Sequence, residues 1–227
     1  MGGGGTVSTA SSAAAMLRQK VAGEGYTPQR FRVGMTVTCD PTPFLLAGGT
    51  IKVPVPATGE DNALVSVQAV GRIGEGEAQL VRLYLPDDRS LFQLHLDAAG
   101  EPDECRFFAV IDEVMPADEA EWSAWLEPQQ GMIGWPEFQT RDGKLYARVW
   151  APGSSWVPPR ALVETVETLR GTRQVRSQAM LYAASTGAPT PAPETEYILV
   201  AALEEGGRAW VEVRAGIDVN PASLSLA

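Results

Sequence analysis

Short runs in which apolar and polar residues alternate fill most of the chain from Phe31 onward, a pattern typical of β-strands. In the first of these runs, apolar side chains fall at every second position from Phe31 to Val37 and share one face. Glycine, proline or paired aspartates separate the runs, as expected for turns. The pattern predicts about seven strands before residue 115, in the segments RFRVGMTVTC, FLLAG, TIKVPV, ALVSVQAVGRI, AQLVRLYLP, SLFQLHLD and CRFFAVIDEV.

The second half of the chain continues the same pattern. The runs PEFQT and KLYARVW flank Arg141-Asp142-Gly143, and Asp-Gly favours a hairpin turn because glycine accepts positive φ. Gly206-Gly207 predicts a second tight hairpin near the C-terminus. These signals predict a mainly β protein built of antiparallel sheets, arranged as a sandwich or a partly open barrel. The remaining strands are predicted in ALVETVETL, VRSQAMLYAAS, EYILVAALEE and RAWVEVRAGIDV.

One short helix is predicted over residues 116–127. Pro116 ends the preceding strand, and Asp118 supplies a negative charge that suits a helix N-terminus. Trp122, Trp125 and Leu126 then fall on one stripe of the helix. We expect this stripe to cover the end of a sheet.

Similar elements recur in the two halves of the chain. Ala63-Leu64-Val65 resembles Ala161-Leu162-Val163, and Tyr84 and Tyr182 follow at the same offset. The recurrence supports the hypothesis of two tandem related β-units, residues 29–115 and 128–222, packed as one globular body around the helix. The Gly-, Ala- and Ser-rich residues 1–28 are predicted to be disordered.

The charge balance limits the classes of partner. The formal net charge of -10 comes from 28 acidic and 18 basic residues, which argues against binding nucleic acid or anionic lipid through bulk electrostatics. No run reaches the ~18 apolar residues that span a bilayer, so direct membrane insertion is not expected. The N-terminus lacks the basic and leucine-rich regions of a signal peptide, so we expect a cytoplasmic protein.

Few residues are suited to catalysis. His95 is the single histidine, and the chain has no nucleophile elbow, phosphate-binding loop or zinc-ligand spacing. We therefore predict no catalytic residues, no metal and no cofactor. Cys39 and Cys105 lie in apolar runs and are predicted to be buried free thiols, with a bond between them left open. Asp112 and Glu204 are candidates for an acidic pocket that binds a small ligand such as a polyamine.

An aromatic group around the predicted hairpin is the other candidate site. Tyr146, Arg148 and Trp150 share one face of the KLYARVW strand, and Trp135 precedes the hairpin. Cross-strand and cation–π packing would explain the group as part of the structure. The same residue types are enriched at protein interfaces, so we also consider these four residues a partner-binding surface.

The segments GMIGWPEFQTRDGKLYARVW, EYILVAALEE and WVEVRAGIDV, together with VGMTVTCDPTPFLL, resemble the YjfK-like family of uncharacterised bacterial proteins over about residues 30–220. Members are typically encoded beside a phage-shock-type membrane coat protein, small membrane proteins and an ATP-grasp ligase. The resemblance implies a non-catalytic adaptor in an envelope-maintenance or stress system, held at the inner membrane through a protein partner. The alternative is a ligand-binding protein or enzyme that handles a peptide or polyamine conjugate alongside the ligase.

Overall fold

The computed structural model describes residues 31–56, 64–74, 79–98, 102–221 and 224. The predicted disorder of residues 1–28 lies outside this part of the chain. The described residues form strands and two short helices, which are numbered here in chain order. The strands are β1 (Thr36–Thr38), β2 (Leu64–Ser66), β3 (Ala69–Ile73), β4 (Gln79–Tyr84), β5 (Ser90–Leu96), β6 (Pro102–Val114), β7 (Glu137–Gln139), β8 (Leu145–Arg148), β9 (Arg160–Thr168), β10 (Gly171–Ser185), β11 (Thr195–Glu205) and β12 (Arg208–Asp218); the helices are α1 (Thr42–Leu46) and α2 (Glu119–Leu126).

Eight strands close into an antiparallel barrel. Their order around the barrel is β3-β4-β5-β6-β12-β11-β10-β9, and β9 returns to pair with β3. The prediction of a mainly β, antiparallel fold is confirmed, and the barrel is closed. Closure satisfies the backbone groups that an open sheet would leave at its two edges.

Each half of the chain contributes one four-stranded meander, β3–β6 or β9–β12. The two meanders join along two antiparallel seams, β6 with β12 and β3 with β9. Tyr84 lies in the second strand of the first meander, and Tyr182 lies in the second strand of the other. Leu64 and Val65 instead belong to the separate β1–β2 pair, and Ala63 lies outside the described residues. Common ancestry of the two halves stays a hypothesis.

The interior of the barrel is filled from all eight strands. Each strand contributes at least one side chain to a single apolar cluster. One such residue from each strand, in chain order, is Ala69, Tyr84, Leu91, Phe108, Val166, Val175, Leu199 and Trp210. Closure shields most of this face from water, so the buried polar residues on it need partners within the protein.

A buried polar network occupies part of the interior. The guanidinium of Arg82 donates to Glu164 Oε2 at 2.7 Å and to Gln93 Oε1 at 3.0 Å. The hydroxyl of Tyr84 donates to Glu164 Oε1 at 2.8 Å. Glu164 reaches this network across β3, because a Cβ at Gly71 would lie only 1.7 Å from Glu164 Oε1. The absence of a side chain at Gly71 therefore allows the carboxylate to cross the strand.

A second apolar layer covers part of the outer face of the barrel. The rings of Phe44 in α1 and Phe107 in β6 pack edge to face, with centroids 5.1 Å apart. Phe31, Met35 and Val37 are buried, although only the end of their predicted strand forms a strand. Tyr146 in β8 is buried in the same layer. Together these residues bury apolar surface that the barrel alone would expose.

Two of the strands predicted in residues 31–56, which we call the covering segment, are wrong. FLLAG forms the helix α1, because Pro41 and Pro43 fix φ in a range that suits a first helical turn. TIKVPV forms no strand, since Pro54 and Pro56 lack the N–H groups that a strand partner needs. The pattern also predicts one strand in ALVSVQAVGRI, whereas the described residues of this run form two, β2 and β3.

The predicted helix and hairpin are both present. Asp118 caps α2, and its Oδ1 accepts a hydrogen bond from the backbone N–H of Glu121 at 2.9 Å. The apolar stripe of α2 packs against the outer layer, and its role as the cover of a sheet end stays a prediction. Strands β7 and β8 form the hairpin, and β8 also pairs with β10 at Tyr182.

Both cysteines are buried free thiols, as predicted. Burial, together with the nearby carboxylate of Asp40, raises the pKa of Cys39 to about 11. Burial also raises the pKa of Cys105. Both thiols therefore stay protonated at neutral pH and are poor nucleophiles.

Candidate binding groove

A cavity of about 800 Å³ lies between the β7–β8 hairpin and the outer face of the barrel. We call it the hairpin groove. Its volume falls in the range of known ligand sites, and its lining is mainly apolar with charged residues at the hairpin tip. The lining residues are Lys52, Ile111, Asp112, Val114, Trp125, Gln130, Gly131, Met132, Trp135, Glu137, Phe138, Gln139, Thr140, Arg141, Asp142 and Val213.

A β-bulge in β6 shapes the floor of the groove. Asp112 pairs with Val213 and Val110 pairs with Arg214, so Ile111 between them has no partner in β12. Neighbouring residues of a regular strand point to opposite faces, but an extra residue changes the direction of the following side chain. As a result, Ile111 and Asp112 both line the groove.

The apolar wall contains two large exposed side chains. Trp135 is 41% exposed and Met132 is 45% exposed. The indole N–H of Trp135 donates to the carbonyl of Gly131 at 2.9 Å, which fixes the ring beside the opening. Trp125 of α2 also contributes to this wall. An exposed aromatic and a methionine beside an apolar floor are typical of a recognition surface.

Two ion pairs hold the hairpin tip. Arg141 Nε lies 3.0 Å from Asp112 Oδ2, and Lys52 pairs with Asp142. The hydrogen bond from Lys52 lowers the pKa of Asp142, and a second bond from Thr140 lowers it further. The four charged groups therefore neutralise one another at the end of the groove.

A buried carboxylate anchors the hairpin to the barrel. Glu196 at the start of β11 is fully buried, and its Oε2 accepts bonds from Lys144 Nζ at 2.8 Å and from the hydroxyl of Tyr146 at 2.7 Å. Its Oε1 accepts a bond from the backbone N–H of Lys52 at 2.5 Å. Burial raises the pKa of Tyr146, and the hydrogen bond to Glu196 raises it further. The hairpin is thus joined to β11 through a satisfied polar cluster.

Arg148 fixes the chain on the other side of the hairpin. This buried guanidinium donates only to backbone carbonyls, including Ala151 at 2.8 Å, Ser155 at 3.0 Å and Gly134. Gly134 in turn donates its N–H to the hydroxyl of Tyr182 at 2.9 Å. Arg148 therefore positions the segment that leads into Trp135.

Strand β7 leaves one edge open towards the groove. Thr140 N–H donates to the carbonyl of Lys144 at 3.0 Å, and Arg148 N–H donates to the carbonyl of Pro136 at 2.7 Å. Bonded pairs alternate in an antiparallel ladder, so Phe138 bonds to β8 while the backbone groups of Glu137 and Gln139 point away from it. In the part of the chain that the structure describes, β7 pairs with β8 alone.

Comparison with known families places the chain in one of them. A family model described as a protein of unknown function, DUF2491, matches residues 17–225. The chain belongs to the DUF2491 family. No curated protein and no solved structure matches it. The expectation of an uncharacterised family is therefore confirmed, and the narrower YjfK-like naming stays a prediction.

The structure separates the four aromatic-site residues predicted in this DUF2491 protein. Trp135 lines the groove, whereas Tyr146 and Arg148 are buried and serve as anchors. Trp150 lies outside the groove lining, under the guanidinium of Arg160, which is 4.7 Å from its ring centroid. The four side chains thus do not form one exposed surface, because Tyr146 bonds to Glu196 and Arg148 bonds to backbone carbonyls.

The two candidate acids also lie apart. Asp112 lines the hairpin groove, where Arg141 neutralises it. Glu204 lines a different cavity of about 300 Å³ at the β11–β12 turn, together with Arg176 and Arg208. The residues that sequence reasoning missed are Met132, Phe138 and Ile111. Met132 and Phe138 lie in the segment GMIGWPEFQTRDGKLYARVW, but no sequence signal marks the bulge at Ile111.

The described residues of the DUF2491 protein provide neither a cluster of metal ligands nor a membrane-spanning helix. Among them, no group of three His, Cys, Asp or Glu side chains is placed to hold a metal ion. None of their helices has the length and apolar character needed to cross a membrane. His95 Nδ1 lies 2.7 Å from Asp103 Oδ1 at the barrel surface.

Proposed function

We propose that this DUF2491 protein is a non-catalytic adaptor that binds a segment of a partner protein in the hairpin groove. One observation carries the proposal: exposed Trp135 and Met132 stand beside the open edge of β7, above an apolar floor. Peptide recognition commonly combines an open strand edge with apolar pockets. An aromatic anchor at the centre of such a site supplies much of the binding energy.

The rigidity of the groove supports this proposal. Glu196 holds the hairpin to β11, and Arg148 holds the backbone that precedes Trp135. A site that is already ordered loses less conformational entropy when a partner binds. The walls can therefore receive a partner segment without refolding.

The two carboxylates considered for a polyamine, Asp112 and Glu204, lie in different cavities, and each cavity also contains basic side chains. Asp112 and Asp142 are each paired with a basic side chain, so neither offers a free carboxylate to a polyamine. Glu204 belongs to another cavity. The alternative, in which Asp112 and Glu204 bind a polyamine conjugate, has less support from this arrangement.

The biological setting of the adaptor is proposed from the sequence resemblance. The YjfK-like likeness supports a role in envelope maintenance or stress, with a phage-shock-type membrane coat protein as the partner. We propose that the adaptor acts in the cytoplasm and reaches the inner membrane through this partner. The groove provides the docking site in this proposal.

Site-specific photo-crosslinking in the native cell tests the adaptor role. The photoreactive residue benzoylphenylalanine replaces Met132 in the groove or Leu169, which is 78% exposed in the β9–β10 turn. We expect a discrete crosslinked protein only from position 132, because only that position lines the groove. Equal products from both positions would contradict the proposal.

The Trp135→Ala variant provides the second arm. We expect it to lose the crosslink from position 132 while its free energy of unfolding falls by only about 1–2 kcal/mol, since the ring is partly exposed. Val163→Ala is the matched control, because Val163 is 52% exposed on β9, outside the groove lining. An unchanged crosslink in Trp135→Ala, or a stoichiometric small molecule in the purified protein, would overturn the proposal.

A further inference from the structure

We infer that the partner segment binds as an added strand along β7, with apolar residues at alternate positions and a lysine or arginine opposite Glu137. This inference rests on the proposed function and specifies the chemistry of the segment. It follows from the backbone pattern of β7, the direction of its side chains and the charge that the groove leaves unpaired.

The open edge offers main-chain hydrogen bonds in a fixed register. The N–H and C=O groups of Glu137 and Gln139 point away from β8. An extended segment beside β7 can bond to all four groups, whereas a helix or a compact loop cannot match their spacing. The edge therefore selects an extended backbone.

Side chains of an added strand would continue the pleat of β7. The ring of Phe138 points towards the barrel, where its centroid lies 5.4 Å from that of Tyr182. Glu137 and Gln139 point the other way and are exposed. Residues of the segment that share the face of Phe138 would enter the groove above Ile111 and Val213. These inward positions favour apolar side chains, and the positions between them favour polar ones.

The charges of the lining specify one of the outward positions. Lys52 and Arg141 pair with Asp142 and Asp112. Among the described residues, Glu137 has no ion-pair partner, so the lining retains one negative charge at the open edge. Directly opposite residues of opposite charge stabilise a strand pair, and like charges destabilise it. A basic residue opposite Glu137 therefore complements the site.

The same charge disfavours a second copy of the chain as the occupant. Strand β7 has only three residues, so pairing of two β7 edges would place two Glu137 carboxylates close together. The two chains would also each carry a net charge of -10. A basic segment of another protein avoids both repulsions.

A displayed library of random peptides, selected against the full chain, tests the inference. We expect the selected peptides to alternate apolar residues with polar ones that include lysine or arginine. The best peptide should bind Glu137→Lys about three- to tenfold more weakly, and replacing its basic residue by glutamate should restore binding to that variant. Glu194→Lys is the matched control, because Glu194 is exposed outside the groove lining.

Backbone amide exchange separates strand addition from other modes of binding. The peptide should slow exchange at Glu137 and Gln139 and leave Phe138 unchanged, because Phe138 N–H already bonds to β8. Peptides that bind through Trp135 without protecting these two amides, or without dependence on residue 137, would overturn the inference and leave the adaptor role intact.

Two other outcomes are equally decisive. Protection of Glu137 and Gln139 by self-association in the absence of peptide would make a second copy the occupant and overturn the inference. If the library yields no binder while position 132 still crosslinks to a folded protein, strand addition is excluded but docking is not. Failure of both experiments would remove the proposed function itself.

Discussion

At the scale of single residues, the least predictable feature is the charged interior of the barrel. Arg82 and Glu164 occupy positions in alternating runs that normally face water, so the sequence favours a solvated location. Closure of the barrel buries the inner face of β4 and β9, and the two side chains meet there across Gly71. Single-sequence patterning carries no information on closure and therefore could not place them.

The contact between Gly71 and Glu164 leads to a prediction about stability. Gly71→Ala should lower the free energy of unfolding by about 2–3 kcal/mol, because the new methyl group displaces the carboxylate from Arg82. In a Glu164→Ala background the same change should cost less than about 1 kcal/mol. Urea unfolding of the four proteins measures this coupling, and strictly additive costs would contradict the account.

At the scale of elements, the sequence predicts the second half of the fold better than the first. The β7–β8 hairpin, helix α2 and strands β9–β12 lie where the pattern places them, because strong turn signals such as Asp142-Gly143 and Gly206-Gly207 separate them. The covering segment is predicted less well, because an apolar run as short as FLLAG fits a helix as well as a strand. The floor of the groove depends on the bulge at Ile111, which has no sequence signal of its own.

The attachment of the hairpin to β11 gives the second prediction. Glu196→Ala should lower the free energy of unfolding by about 3–5 kcal/mol, because it leaves Lys144 and Tyr146 without their buried acceptor. Glu194→Ala, at an exposed position two residues away, should change it by less than about 0.5 kcal/mol. Chemical denaturation of both variants provides the comparison. Equal, small effects would show that the cluster around Glu196 does not stabilise the hairpin.

At the scale of the whole molecule, the burial of tyrosines makes the free energy of unfolding depend on pH in the alkaline range. Burial is the main cause that raises the pKa of Tyr84, Tyr146, Tyr182 and Tyr197. The folded protein therefore keeps phenol protons that the unfolded chain releases near its ordinary tyrosine pKa of about 10. Since the folded state then binds more protons, its stability falls as pH rises.

The third prediction follows from this linkage. The stabilisation that the protonated tyrosines give to the folded state should be complete below about pH 10. Above this pH the free energy of unfolding should decrease steadily. Urea unfolding across the alkaline range measures the slope, and Tyr146→Phe should make it shallower by removing one of the titrating groups. A slope that is flat or positive above this pH would contradict the burial of these hydroxyl groups.

Closure of the barrel also has a consequence for synthesis on the ribosome. The first meander, β3–β6, is translated well before β9 and β12, which complete its two seams. Until both arrive, β3 and β6 expose unpaired backbone and apolar side chains, and such non-local pairings form slowly. A nascent chain that pauses before Arg208 therefore carries an open sheet that can pair with neighbouring chains. We expect the interval between β6 and β12 to be the period in which this protein depends most on chaperones.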